Sequence, residues 1–176
     1  MAKSPKRKEY LSDYKLDDKG KYRYSGKNYC FDGSEEERRR AYITLLLLSL
    51  VLLSGIVGSG CIDAAGANGA FYVIIPLIGE VSAFFAYGWN LSKLMFEGSR
   101  IRGYIFETAD NRIPPACLIL MFFAIFGMAS SGLYVIFNGF EGKALKAFLY
   151  ISLKGFNAVL AFIVKKYYNT LKWRAM

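Results

Sequence analysis

The chain has 176 residues, of which 54% are apolar, 16% aromatic and only 21% charged. That balance excludes an ordinary soluble domain of this length, because the apolar residues fall into four long blocks, each sufficient to cross a bilayer core of roughly 30 Å as a helix. With no histidine, the chain also lacks the usual haem ligand, a common metal ligand and the commonest general base.

Forty largely polar residues precede the first apolar block. No cleavable signal peptide is expected, and the first span serves as its own targeting signal. Within this tail, Tyr14-Lys15-Leu16, Lys21-Tyr22-Arg23-Tyr24 and Tyr29-Cys30-Phe31 are separated by polar, glycine-containing turns. They read as a three-stranded β-meander inside a cytoplasmic segment 1–33. Strand alternation puts Tyr22 and Tyr24 on one face and the two cations on the other. So small a meander is marginal alone, so it is expected to pack against the inner face of the bundle, the headgroups or a partner, with Tyr22, Tyr24, Tyr29 and Phe31 as candidate partner-binding residues. The competing reading is an unstructured basic tail. After Asp32-Gly33, Ser34 and Glu37 have the spacing of a capping box. Glu35 with Arg39, and Glu36 with Arg40, stand four apart in the favourable order. The first helix therefore starts in the cytoplasm and enters the membrane unbroken.

Spans are expected at 41–62, 70–91, 116–137 and 144–164, each near the twenty residues a crossing needs. Twenty of the 23 Lys and Arg lie in the tail, the segment between spans two and three, and the C-terminal segment, whereas the outer connections carry only Lys143 and Lys146. The positive-inside rule places both termini in the cytoplasm. The formal charge of +9 thus reports topology and attraction to anionic lipid rather than nucleic-acid binding. Short outer connections make spans one and two, and likewise three and four, tight hairpins, so 34–176 reads as an all-α, up-down-up-down four-helix transmembrane bundle. The inner loop holds Arg100, Arg102 and Tyr104 in a basic, aromatic stretch that reads as a short interfacial helix, ended by Asn111 and Pro114-Pro115. Lys165, Lys166 and Trp173 repeat that chemistry, and both stretches are read as interfacial anchors.

The run from Lys21 to Tyr29, the glutamate and arginine cluster leading into span one, and Phe71-Tyr72-Val73-Ile74-Ile75-Pro76 at the start of span two together resemble a group of small four-span membrane proteins of Gram-positive gut bacteria. The resemblance implies four spans and a Tyr-rich cytoplasmic tail, and it carries no activity.

The sharpest chemical feature is a pair of charges inside the spans. Glu80 and Lys154 each lie about eleven residues from the outer end of their span, or roughly 16 Å at the helical rise. Matched depth on two helices running in the same direction makes them natural ion-pair partners, since either charge alone in the apolar layer is costly. Three uses compete: a lock that selects one helix arrangement, which is preferred; a proton- or cation-coupling carboxylate; and a contact with a charge on another protein. Pro76, four residues before Glu80, frees the carbonyl of Tyr72 and predicts a kink near the charge. Ser54 with Gly58, Gly55 with Ser59, and Gly127 with Ser131 form small-xxx-small pairs for close helix packing. Ser130, Ser131 and Asn157 add polar groups near the Glu80 level.

Cys30, Cys61 and Cys117 lie in three different places without metal-type spacing, so neither a disulfide framework nor a metal site is expected. No phosphate loop or activated nucleophile is present in the sequence, and neither catalysis nor a cofactor is expected. The expected role is that of a non-catalytic accessory or assembly subunit of a larger integral membrane protein, a transporter being the foremost class, in the plasma membrane. Anionic lipids and a second copy of the chain are further expected partners. The alternative is a small oligomeric proton- or ion-coupled transporter working through Glu80 and Lys154.

Overall fold

The computed structural model describes residues 14–16, 22–62, 69–139 and 143–176. Four helices dominate: α1 (Glu35–Cys61), α2 (Phe71–Phe96), α3 (Gly103–Asn138) and α4 (Ala144–Thr170). All four are long and apolar enough to cross a membrane. Among the described residues there are also five short strands: β1 (Tyr14–Leu16), β2 (Tyr22–Tyr24), β3 (Asn28–Phe31), β4 (Arg100–Arg102) and β5 (Trp173–Ala175). The outer connections 63–68 and 140–142 lie outside the described residues, as do 1–13 and 17–21.

Local chemistry starts α1 where the sequence places it. The Glu37 amide donates to the Ser34 hydroxyl at 3.1 Å, and the Ser34 amide donates to the Glu37 carboxylate at 2.9 Å. Glu36 meets Arg40 at 3.9 Å, whereas Glu35 takes Arg38 rather than Arg39. The helices pack as a ring in which α2 lies against α3, α3 against α4, and α4 against α1. The expected tight hairpin between the first two spans is corrected here, because α1 leans on α4 and makes much less contact with α2. Glycine explains the choice: a Cβ on Gly55 would fall 2.0 Å from Asn157 Oδ1, and one on Gly58 would lie 3.8 Å from Leu153, so the bare face of α1 is turned toward α4.

The interfacial helix before span three is also corrected. Arg100 to Arg102 form a strand, and α3 then runs without a break from Gly103 through Pro114 and Pro115. Each proline removes the donor for the carbonyl four residues earlier. Those carbonyls belong to Asp110 and Asn111, which are exposed, so their loss of a helical partner does not break the helix.

The tail is not a meander. β1 and β2 form a hairpin, but β3 leaves it and becomes the centre of a second antiparallel sheet, ordered β4-β3-β5. Tyr29 stands opposite Ile101 on one side and Ala175 on the other, while Cys30 stands between Arg100 and Arg174. Alternation therefore assigns Tyr29, Phe31, Ile101 and Trp173 to one face. That face is packed: Ile101 is 0% exposed, Tyr29 stacks on Phe106 at 4.2 Å, and Trp173 contacts both Phe31 and Phe106. Three remote segments thus meet in one sheet. Through it the start of α1, the end of α2, the start of α3 and the end of α4 are tied together.

This tying reassigns several residues. Trp173 is a packing residue of the sheet rather than an interfacial anchor. Arg102 donates to the Glu97 carboxylate through two nitrogens, one at 2.9 Å, and lies 5.7 Å over the Tyr104 ring. Tyr104 in turn meets Tyr24 edge-on. Arg100 and Lys166 remain exposed, and Lys165 is half-buried. Of the four aromatics read as partner-binding, three are used inside the fold: Tyr29 and Phe31 as above, and Tyr24, whose hydroxyl donates to the Lys27 carbonyl and accepts from the Gly103 amide. Only Tyr22, at 75% exposure, still faces outward.

Hydrogen bonds from Arg102 hold the Glu97 carboxyl below its ordinary range, and the carboxylate holds the guanidinium still more firmly charged. The joint between α2 and β4 is therefore intact above the usual carboxylate pKa of about 4.3 and is lost as pH falls through the depressed value. In a Trp89→Phe background, Trp173 emission titrated from neutrality to about pH 3 should show this acid transition, and Glu97→Gln should abolish it. An unchanged transition in the variant would rule out the pair as its origin.

Candidate functional site

Glu80 lies on α2 and Lys154 on α4, helices that stand across the diagonal of the ring. Lys154 Nζ nevertheless donates to Glu80 Oε1 at 2.8 Å, with the two side chains 0% and 1% exposed. The ion pair is a strut through the middle of the bundle. Gly127 of α3 makes room for it, since a Cβ there would lie 3.3 Å from Lys154 Cε and 3.4 Å from the ring of Pro76. Pro76 itself sits buried inside α2, which continues through it as a helix. Paired charges in a dry layer offset much of each other's desolvation, provided the remaining hydrogen-bonding capacity is also used.

That proviso is only partly met. Asn157 stands beside Glu80, yet neither its amide nitrogen nor its oxygen makes a hydrogen bond of normal geometry; Glu80 Oε2 and the Tyr150 hydroxyl are likewise buried without a partner. Tyr150 escaped the sequence reading. It lies four residues before Lys154 on α4, and its ring faces the ammonium at 5.3 Å. The i, i+4 spacing of an aromatic and a buried lysine was the available signal. Ser130 and Ser131 both donate to the Gly127 carbonyl of their own helix, at 3.1 and 2.8 Å, and Ser131 also stands beside the Tyr150 hydroxyl.

The small-residue positions divide in the same way. Gly55 and Gly127 are close-approach points, and Ser59 is fully buried with its hydroxyl on the Ile56 carbonyl. Ser54 faces outward and bonds Val51, so its pairing with Gly58 makes no helix contact. A second polar link, also missed, joins α2 to α1: Ser49 donates to the Leu45 carbonyl at 2.6 Å, leaving its oxygen to accept from the Tyr87 hydroxyl at 2.7 Å. Both residues sit on apolar helical faces where sequence alone reads them as packing.

Among the described residues no group of His, Cys, Asp or Glu is arranged to hold a metal ion. The three cysteines are unpaired thiols at separate places: β3, the end of α1, and the interior of α3. The fold and its buried pair define a class, a four-helix bundle of membrane-crossing length braced by a diagonal ion pair and tied at one end by a sheet. No family model, curated protein or solved structure matches the chain.

Proposed function

We propose that the protein is a non-catalytic accessory or assembly subunit of the plasma membrane, with both termini cytoplasmic, that attaches to a larger integral membrane protein such as a transporter. The observation that carries this reading is the sheet tie. A small carrier must separate its helices at one end and then at the other. Here α1, α2, α3 and α4 are all held at the same end by three hydrogen-bonded strands, and at mid-depth the Glu80–Lys154 strut crosses the bundle. Such a body is suited to standing still beside something that moves. The excess of Lys and Arg at the sheet end supports its cytoplasmic placement. A partner has two surfaces to use: the outward Tyr22 of the β1–β2 hairpin, and the exposed aromatic stripe of Phe71, Phe85, Trp89 and Phe96 along α2.

The test is purification of the tagged protein from its native membrane in a mild, lipid-preserving system, with companions identified by mass spectrometry. A larger membrane protein at fixed ratio is the expected result, and a lone or self-associated chain overturns the reading. The second reading, an oligomeric proton- or ion-coupled transporter, draws on Glu80 Oε2 and the Asn157 amide, buried without partners at the strut. Glu80→Gln separates the two. Loss of proton-driven flux with assembly intact favours transport, whereas loss of assembly without any flux in the wild type favours the lock.

A further inference from the structure

Two cavities meet at the first turn of α1 and share Glu35 and Arg38 as walls. One, about 190 Å³, is polar and lies under the sheet, bounded by Ser34, Ser99 and Arg100. The other, about 320 Å³, opens between α1 and the last turn of α2 and is bounded by Arg39, Tyr42, Ile43, Leu46 and Met95. It exists because α1 leans on α4 and leaves its α2-facing side loosely covered. Along α1 the order is thus a hydroxyl- and guanidinium-lined lobe, then a pair of arginines, then an apolar slot about 12 Å long between Arg38 and Leu46 at the helical rise. That sequence of chemistries matches one amphiphile: a polar headgroup, a phosphate and the upper part of an acyl chain.

We propose that this junction is a binding site for one anionic phospholipid, its phosphate between Arg38 and Arg39, its headgroup in the polar lobe, and an acyl chain against Ile43, Leu46 and Met95. The proposal rests on the membrane placement of the bundle and is independent of whether the protein serves a larger complex. Charge complementarity selects the ligand. Arg39 makes no ion pair among the described residues. Arg38 shares its guanidinium between Glu35 and the face of Tyr42, 6.0 Å from the ring centroid, which holds it at the boundary of the two lobes. Glu35 is the one acidic side chain lining the two cavities, and it is mostly exposed, so it is free to turn toward water. Depth agrees as well: Arg38 and Arg39 immediately precede the apolar run of α1, where headgroup phosphates lie.

The experiment is native mass spectrometry of the full-length protein in mild detergent, titrated with phosphatidylglycerol or phosphatidylcholine of the same acyl composition. Phosphatidylglycerol should be retained at a concentration about tenfold lower, the preference that two nearby arginines supply. Arg38→Gln with Arg39→Gln should erase the preference, and Lys165→Gln with Lys166→Gln should leave it in place. Leu46→Trp, which fills the apolar slot without touching charge, should also lower phosphatidylglycerol retention, and it decides the matter if the arginine variant does not fold. Equal retention of the two lipids by the wild type overturns the proposal. So does a folded arginine variant with undiminished preference, or a Leu46→Trp variant with undiminished phosphatidylglycerol retention, and so does an equal loss from the Lys165 and Lys166 changes, which would mark the attraction as diffuse charge.

Discussion

Lys154→Met alone should lower stability by about 3–5 kcal/mol, the cost of leaving a buried charge without its partner. The side-chain volumes are similar and the position is 0% exposed, so packing changes little and the effect isolates the charge. In the variant the Glu80 carboxylate keeps only its unpartnered neighbours, the Asn157 amide and the Tyr150 hydroxyl. Adding Glu80→Leu to Lys154→Met should recover most of the loss, because replacing a buried pair by apolar residues of like size is often neutral or better. The unfolding midpoint in mild detergent reports both. A single change costing less than about 1 kcal/mol would show that the pair is not a structural strut, and a double variant no better than the single would place the loss in packing. The strut joins diagonal helices, so a fully recovered double variant that no longer assembles with its partner would assign the ion pair to helix orientation rather than to stability.

Ile101→Ala should cost about 2–4 kcal/mol, as expected for removing most of a fully buried side chain. Ile101 lies on the edge strand β4 of the β4-β3-β5 sheet, opposite Tyr29 of the central strand. Its loss should loosen all three segments at once, since Ile101, Tyr29 and Trp173, one from each strand, pack on one apolar cluster with Phe106. Tryptic cleavage at Arg100, Arg102 and Arg174 should accelerate together, while Ile101→Val, costing about 1 kcal/mol, should change it little. Acceleration confined to Arg100 and Arg102, with Arg174 unchanged, would show that the sheet does not act as a unit.

The candidate site was legible in part. Glu80 and Lys154 declare themselves because a charge inside an apolar block has few tolerable surroundings, and matched depth along helices of known rise names the partner. Nothing in the sequence says that the two helices are diagonal rather than adjacent, or that Gly127 clears the way. Tyr150, Tyr87 and Ser49 stayed hidden because an aromatic or a serine on an apolar helical face reads as ordinary packing. Ser130 and Ser131 show the limit of such a reading: a hydroxyl in a helix has its own chain's carbonyl within reach, so its presence near a polar level does not say which way it donates.

By itself the sequence determined the four helices, the start of α1 and the end of the bundle that carries the positive charge, because these depend on short-range quantities: the length of an apolar run, a three-residue capping interval and the distribution of Lys and Arg. Only the tertiary structure decided the sheet. Asn28–Phe31, Arg100–Arg102 and Trp173–Ala175 are three- and four-residue strands, too short for a period to show. The nearer pairing of the tail with itself gave way because Tyr29, Phe31, Ile101 and Trp173 bury more apolar surface against Phe106 than a free meander offers. The same competition placed α1 against α4: chain connectivity favours the neighbouring helix, but close packing of Gly55 beneath Asn157 fits only the distant one.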